Sequence, residues 1–88
     1  MRLTCDPDKN RANIRKHGIS LAETEAVFYD PFAIAVEDSD HGEERFVAIG
    51  AGNTGIVLVV SYTCRYEDEV RAISARKASR AERMQYEG

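Results

Sequence analysis

In the N-terminal part of the chain, apolar residues recur at the spacing of a helix face among polar residues. Asp6 can cap the free N–H groups of a first helical turn, and Pro7 is favoured at the first helical position because it has no N–H to satisfy. Gly18 is typical of a left-handed helix end. These signals predict a first helix over residues 7–16, with a weak apolar stripe that places it at the rim of the core.

Two further helices are predicted from capping boxes, in which a serine is followed three residues later by a glutamate. Ser20 and Glu23 begin the second helix, which ends before Pro31 because the residue preceding a proline is disfavoured in helical geometry. Ser79 and Glu82 begin a C-terminal helix. In that helix we expect Met84 and Tyr86 to point inward.

Between these helices, the apolar residues form four short runs separated by turns, at residues 32–36, 45–50, 56–63 and 69–75. The run at 56–63 is β-branched at nearly every position, which is typical of a central strand buried on both faces. The turns are an acidic segment at 37–44, a glycine-rich segment at 52–55 and residues 66–68. Short connections favour antiparallel pairing of neighbouring strands.

The element order predicts an α+β fold: two N-terminal helices, a four-strand antiparallel meander and a C-terminal helix, with the helices on one face of the sheet. A short edge strand at residues 3–5 is also possible. With 88 residues, the chain is too short for two independent cores, so residues 1–88 are expected to form a single domain.

Composition is typical of a soluble globular protein, with 43% hydrophobic and 31% charged residues. No apolar run approaches the roughly 20 residues that span a bilayer, and the N-terminus has no apolar signal segment. We therefore expect a cytoplasmic protein without a membrane partner. The two cysteines, Cys5 and Cys64, are expected to be reduced thiols packed as small apolar groups.

The formal net charge of −3 argues by itself against a nucleic-acid partner, but the charges are unevenly distributed. Residues 9–17 hold four bases and no acid, residues 23–44 hold eight acids and no base, and residues 71–88 hold five bases against two acids. Local potential decides where an anion docks, so the basic ends are candidate anion-binding surfaces. The alternative is three solvated surfaces without a ligand.

Sequence motifs for cofactors are absent: the chain has no P-loop, no dinucleotide-binding glycine pattern and no HExxH. A metal site from Asp38, Asp40 and His41 is conceivable, but an acidic hairpin loop with a solvated His41 is the favoured interpretation. We therefore expect no metal and no cofactor.

Basic residues cluster where the last predicted strand meets the last helix. Arg76 and Lys77 precede Ser79, and the free N–H groups of a helix start attract phosphate. Strand alternation puts Ser74 and Arg76 on one face and Arg71 on the other.

The preceding strand ends with Thr63 and Arg65, which the turn at 66–68 should place near Arg71. Guanidinium groups, the hydroxyls of Ser74 and Thr63 and a phenol from Tyr86 would suit a phosphodiester. Surface salt bridges to residues 67–69 are an equally weighted alternative.

His17 follows Lys16 at the end of the first helix. An imidazole there can act as a general acid or base near neutral pH, although a helix-capping histidine is the plainer interpretation.

Several segments occur together in one order: Asp6-Pro7-Asp8-Lys9-Asn10, Asn13, Lys16-His17-Gly18-Ile19-Ser20, Phe28 with Asp30-Pro31, Glu44-Arg45-Phe46 with Ile49-Gly50, Val59-Val60 with Tyr62-Thr63 and Arg65, and residues 71–78 with Glu82 and Tyr86. This ordered set resembles the BrnT-type toxins over nearly the whole chain. Two positions depart from the family pattern: Cys5, where the family often has an aromatic residue, and Leu21, where phenylalanine is frequent.

The resemblance implies a RelE-like ribonuclease fold and the toxin half of a bacterial type II toxin–antitoxin pair. Such a toxin cleaves RNA and arrests growth. Its antitoxin carries a ribbon-helix-helix part, masks the toxin and binds operator DNA, so the toxin reaches that DNA only through the antitoxin. A homodimer and a toxin–antitoxin hetero-oligomer are both compatible with the charge pattern.

A metal-independent ribonuclease must activate the 2′-OH, stabilise a charged phosphorane and protonate the leaving 5′-oxygen. Arg65, Arg71 and Arg76 are the candidates for phosphate binding and charge stabilisation, and His17 is the candidate acid or base, which Lys16 or Tyr86 could replace. The remaining candidate substrate contacts are Thr63, Ser74 and Lys77. The competing hypotheses are a non-catalytic module that binds a protein or nucleic acid, and a small structural subunit that needs a partner.

Overall fold

The computed structural model describes residues 1–38 and 44–88, which build one five-stranded sheet with helices around it. Its elements, in chain order, are β1 (Arg2–Cys5), α1 (Pro7–His17), a 3₁₀ turn (Leu21–Thr24) that continues into α2 (Glu25–Tyr29), β2 (Ile34–Asp38), β3 (Arg45–Ala51), β4 (Val57–Arg65), β5 (Glu69–Lys77) and α3 (Arg80–Glu87).

The strands lie in the order β1-β5-β4-β3-β2. The predicted antiparallel meander is present as β2 to β5. The short strand expected at residues 3–5 is present at the sheet edge as β1, but it pairs with β5 in parallel, so the sheet has five strands and is mixed, and the prediction of an antiparallel four-strand sheet is wrong in these two respects. Parallel pairing needs a long crossover, and here α1, α2 and the strands β2 to β4 separate the two strands in sequence.

The helix caps follow the sequence signals at two of three helix starts. The Asp6 carboxylate accepts the Lys9 N–H at 3.2 Å, and Gly18 ends α1 with φ of 71°. The capping box of α3 is also confirmed. The expected capping box at Ser20 is wrong: its hydroxyl accepts the Ala22 N–H at 3.3 Å, and a 3₁₀ turn begins there.

Apolar side chains pack against both faces of the sheet. Leu58, Val59 and Val60 are all buried, which confirms β4 as a central strand covered on both sides. Leu21 and Val27 pack on one face. On the opposite face, Ala78 and Tyr86 pack with residues of β3 and β4. The prediction that all helices share one face is therefore wrong, because the doubly apolar central strands need cover on both sides.

Three expectations about individual side chains and the membrane can be compared with the structure. Cys5 is half-buried against the core, but Cys64 is exposed near the end of β4, so the expectation that both thiols are packed is wrong for Cys64. Met84 is 61% exposed and does not point inward, whereas Tyr86 does pack. Within the described residues, no helix has the length and apolar character to cross a membrane.

Candidate functional site

A β-bulge in β5 determines which of its side chains share a face. Ser61 of β4 pairs with Ser74, but the next residue, Tyr62, pairs with Ala72, so Ile73 is an extra residue in β5. Ala72 and Ala75 are consequently both buried in the same core cluster, although they are three residues apart.

Because of the bulge, the prediction that Arg71 and Arg76 lie on opposite faces of β5 is wrong. A regular strand would put Arg71 on the face opposite Ser74 and Arg76, whereas one extra residue reverses the alternation beyond it. Arg71, Ser74 and Arg76 therefore line hollows on the same face of the sheet.

The first of these, the large hollow, has a volume of about 540 Å³ and lies between α1, the start of α3 and the sheet. It is lined by Lys9, Ala12, Asn13, Lys16, His17, Val47, Val59, Ser61, Ile73, Ser74, Ala75, Arg76 and Glu82.

The small hollow has a volume of about 290 Å³ and is lined by Asp6, Lys9, Arg45, Thr63, Arg65, Arg71 and Ile73. Lys9 and Ile73 line both hollows, which are therefore neighbouring parts of one groove, here called the basic groove. Its lining includes six lysine or arginine residues against two carboxylates, Asp6 and Glu82. Such a surface attracts anions.

Asn13 holds α1 against the edge of β5. Its side chain is buried, with 5% exposed. Its Nδ2 donates to the carbonyl oxygens of Ala75 at 2.9 Å and Ile19 at 2.8 Å, and its Oδ1 accepts the Ala75 N–H at 3.1 Å. The pairing of β5 with β1 ends at Ala72. Beyond that point, the Asn13 amide hydrogen-bonds to the β5 backbone in place of a neighbouring strand. This contact fixes the cationic end of α1 beside Ser74 and Arg76.

Arg76 and Glu82 form a two-armed ion pair inside the large hollow. Nη1 of Arg76 donates to Oε1 of Glu82 at 2.7 Å, and Nη2 donates to Oε2 at 2.9 Å. The hydrogen bonds from Arg76, and then from the Ser79 N–H, lower the pKa of Glu82 to about 2. The hydrogen bond to Glu82 in turn raises the pKa of Arg76. The pair remains fully ionised at neutral pH.

The alternative interpretation, in which the candidate arginines form salt bridges to residues 67–69, is not what the structure shows. Arg76 binds Glu82, and Glu69 binds Arg2 instead. Within residues 1–38 and 44–88, neither Arg65 nor Arg71 forms an ion pair. Both guanidinium groups are therefore available to an anionic ligand.

Seven of the nine candidate residues from the sequence line the basic groove. Lys16, His17, Ser74 and Arg76 line the large hollow, and Thr63, Arg65 and Arg71 line the small one. The turn after β4 brings Thr63 directly opposite Arg71, as expected from the meander.

The other two candidates, Lys77 and Tyr86, lie elsewhere. Lys77 lines a separate hollow with Ile19 and Leu58, on the face that packs against α2. The Tyr86 hydroxyl donates to Asp30 at 2.5 Å. The expected pocket with a phenol from Tyr86 is thus wrong, because this phenol attaches α3 to the end of α2.

Sequence reasoning missed several residues of the groove. Lys9, Arg45 and Ser61 line it, and Glu82 was interpreted only as a helix cap. Strand alternation relates Ser61 to Thr63 and Arg65, so that pattern could have found this hydroxyl.

A wide hollow of about 700 Å³ at the β4–β5 turn differs in charge from the groove. It is lined by Met1, Arg2, Tyr66, Glu67, Asp68 and Glu69. Three carboxylates against one arginine disfavour a phosphate there. Among the described residues, no group of three histidine, cysteine, aspartate or glutamate side chains could hold a metal ion. Asp40 and His41 lie outside the described residues.

A family model and a solved structure that match this chain point to the same family. A family model described as "Ribonuclease toxin, BrnT, of type II toxin-antitoxin system" matches residues 5–82. The chain is also similar to the crystal structure of the Brucella abortus ribonuclease toxin, BrnT, with a TM-score of 0.76 and 28% sequence identity over 91% of this chain and 99% of that chain. Among curated proteins, none matches this chain.

Proposed function

This chain belongs to the family of BrnT ribonuclease toxins of type II toxin–antitoxin systems, and on that premise we propose that it is a metal-independent endoribonuclease that cleaves RNA in the basic groove. The observation that carries the proposal is the meeting of Lys16, His17 and Arg76 in one hollow, although they come from separate parts of the chain.

RNA is the substrate class that this chemistry requires. Its 2′-OH is an internal nucleophile that DNA lacks. Cleavage needs a group to take the 2′-OH proton, cations to stabilise the charge that develops on phosphorus, and a group to protonate the leaving 5′-oxygen. The cations of the groove suit the second task, and a histidine suits proton transfer.

Within the large hollow, Arg76 is proposed to bind the scissile phosphate through the N–H groups that Glu82 does not occupy. Arginine has five N–H donors: the pair with Glu82 uses two of them, and Nη1 also donates to the Lys77 carbonyl oxygen at 3.4 Å. His17 is proposed as the proton-transfer group, with Lys16 as its alternative. With a pKa of about 2, Glu82 is a weak base at neutral pH, so its proposed task is to orient Arg76.

Metal independence is proposed from the charge of the site. The large hollow offers one carboxylate, Glu82, and Arg76 occupies both of its oxygens. Divalent cations prefer several oxygen ligands, which the lysines and arginines around this hollow do not provide.

The family description implies an antitoxin as partner. We propose that this antitoxin has a ribbon-helix-helix part, masks the groove and connects the toxin to operator DNA. The proposed place of action is the cytoplasm, where RNA cleavage stops translation and growth. Assembly is proposed as a toxin–antitoxin hetero-oligomer, with a homodimer as the alternative.

The test is incubation of the purified protein with single-stranded RNA in the presence of a chelator. We expect shortened RNA fragments, while DNA of the same sequence and fully 2′-O-methylated RNA stay intact. Binding of RNA without cleavage would instead support the non-catalytic module, and equal cleavage of the methylated RNA would exclude attack by the 2′-OH. Arg15→Gln, an exposed change on α1 outside the groove, is the control for loss of one positive charge.

A further inference from the structure

We infer that the small hollow is a second phosphate site, which binds another phosphate of the same strand and so makes RNA longer than a dinucleotide the preferred substrate. This inference rests on the proposed function. It adds that the large hollow binds the scissile phosphate, whereas the small hollow binds a different phosphate.

The first argument is the separation of the Arg71 and Arg76 backbones along β5. Arg71 pairs with Thr63 and Arg76 with Val59, four residues apart on β4. At about 3.3 Å per residue, this separates their backbones by about 13 Å. Ile73, the bulge residue, lies between them and lines both hollows.

The direction of the Arg76 side chain keeps the two arginines separate. Its guanidinium is bound to Glu82, which lines the large hollow and not the small one. Arg76 therefore cannot turn toward Arg71 without losing a two-armed ion pair. With Arg76 held by Glu82, we expect the two arginines to bind two phosphates of one strand rather than share one.

The second argument is the chemistry of each hollow. The small hollow places Arg65, Arg71 and the Thr63 hydroxyl around one space, without a histidine. Neither of these two guanidiniums is engaged in an ion pair with the described residues. The carboxylate there, Asp6, accepts the Lys9 N–H as the helix cap. The small hollow can thus bind a phosphate, while the proton-transfer group lies in the other hollow.

The test compares two labelled substrates that each contain one cleavable ribonucleotide in a 2′-O-methyl background: a set of dinucleotides covering every base step, and longer oligonucleotides with the same steps. We expect the wild type to cleave the longer RNA with a higher kcat/KM. Arg71→Gln should reduce this advantage about tenfold to a hundredfold, as expected for loss of a hydrogen bond to a charged group. Arg76→Gln should lower kcat/KM for both substrates and keep their ratio.

Binding of fully 2′-O-methylated oligonucleotides gives a second measurement that needs no cleavage. Each phosphate contact contributes about 0.7 to the slope of log K against log salt concentration for a single strand. Arg71→Gln should lower that slope by about this amount for the longer oligonucleotide and not for the dinucleotide. Arg65→Gln tests the same site if Arg71→Gln does not fold, and Arg15→Gln is the matched control.

Two results would overturn the inference: equal kcat/KM of the wild type on both substrates, or an equal loss on both in Arg71→Gln. Failure of the proposed function would look different. In that case the wild type would cleave neither substrate, yet the slope change in Arg71→Gln would still report the second phosphate site.

Discussion

Glu82 binds Arg76 with both carboxylate oxygens, and its Oε1 also accepts the Ser79 N–H at 2.8 Å. One side chain therefore caps α3 and orients the arginine of the large hollow. The start of the helix and the geometry of the groove are coupled through this carboxylate.

The first prediction concerns stability at low pH. The folded-state pKa of Glu82 is lowered from 4.5 to about 2, so its contribution is present above pH 4.5 and is lost as pH falls toward 2. Arg76 is 46% exposed, so solvent weakens the pair and we expect a contribution of about 1 kcal/mol. Urea unfolding at pH 7 and pH 3 should show a smaller stability loss for Glu82→Gln than for the wild type. The same pH dependence in both proteins would contradict this.

The second prediction concerns the proposed reaction. Arg76→Ala should keep the fold and lower the RNA cleavage rate about 10²- to 10³-fold, the effect of removing one preorganised anion-stabilising donor. Growth inhibition on expression should disappear with it. Circular dichroism checks the fold, and Arg15→Ala serves as the exposed control. Retained cleavage by a folded Arg76→Ala protein would remove this residue from the site.

The third prediction concerns Asn13. Asn13→Ala leaves the Ala75 N–H and the carbonyl groups of Ala75 and Ile19 without their partner in a buried place. We expect a loss of about 2–3 kcal/mol in the free energy of unfolding, measured in urea. Arg15→Ala on the same helix should change it by less than about 0.5 kcal/mol. Equal stability of both variants would mean that the Asn13 contacts contribute nothing.

The fourth prediction separates the two faces of β5. Lys77 and Arg71 share this strand and its charge, but Lys77 lies on the opposite face. Lys77→Gln should leave the cleavage rate of a long RNA within about twofold, because long-range effects of a solvated charge are screened. A tenfold loss of the cleavage rate would show that Lys77 contributes to substrate binding.

Local signals in the sequence predicted local structure well. Asp6, Gly18 and Ser79 marked helix ends correctly because capping depends on residues within one turn. The run that became β4 was identified as a buried central strand for the same reason. These interpretations needed no knowledge of distant contacts.

Features that depend on distant residues were missed. The pairing of β1 joins Leu3 to Val70, and four residues carry too little pattern to indicate a partner so far along the chain. The bulge at Ile73 inverts the alternation that a regular strand implies, so Arg71 was expected on the wrong face. The Arg76–Glu82 pair was missed because each residue already had a local interpretation.

The amide of Asn13 also has a consequence for behaviour at high concentration. Strand edges with free N–H and C=O groups are templates for intermolecular β-pairing, which leads to aggregation. The Asn13 side chain occupies the N–H and the C=O of Ala75, so neither group can pair with a strand of another molecule. The chain should thus be protected against intermolecular strand pairing at this position of β5.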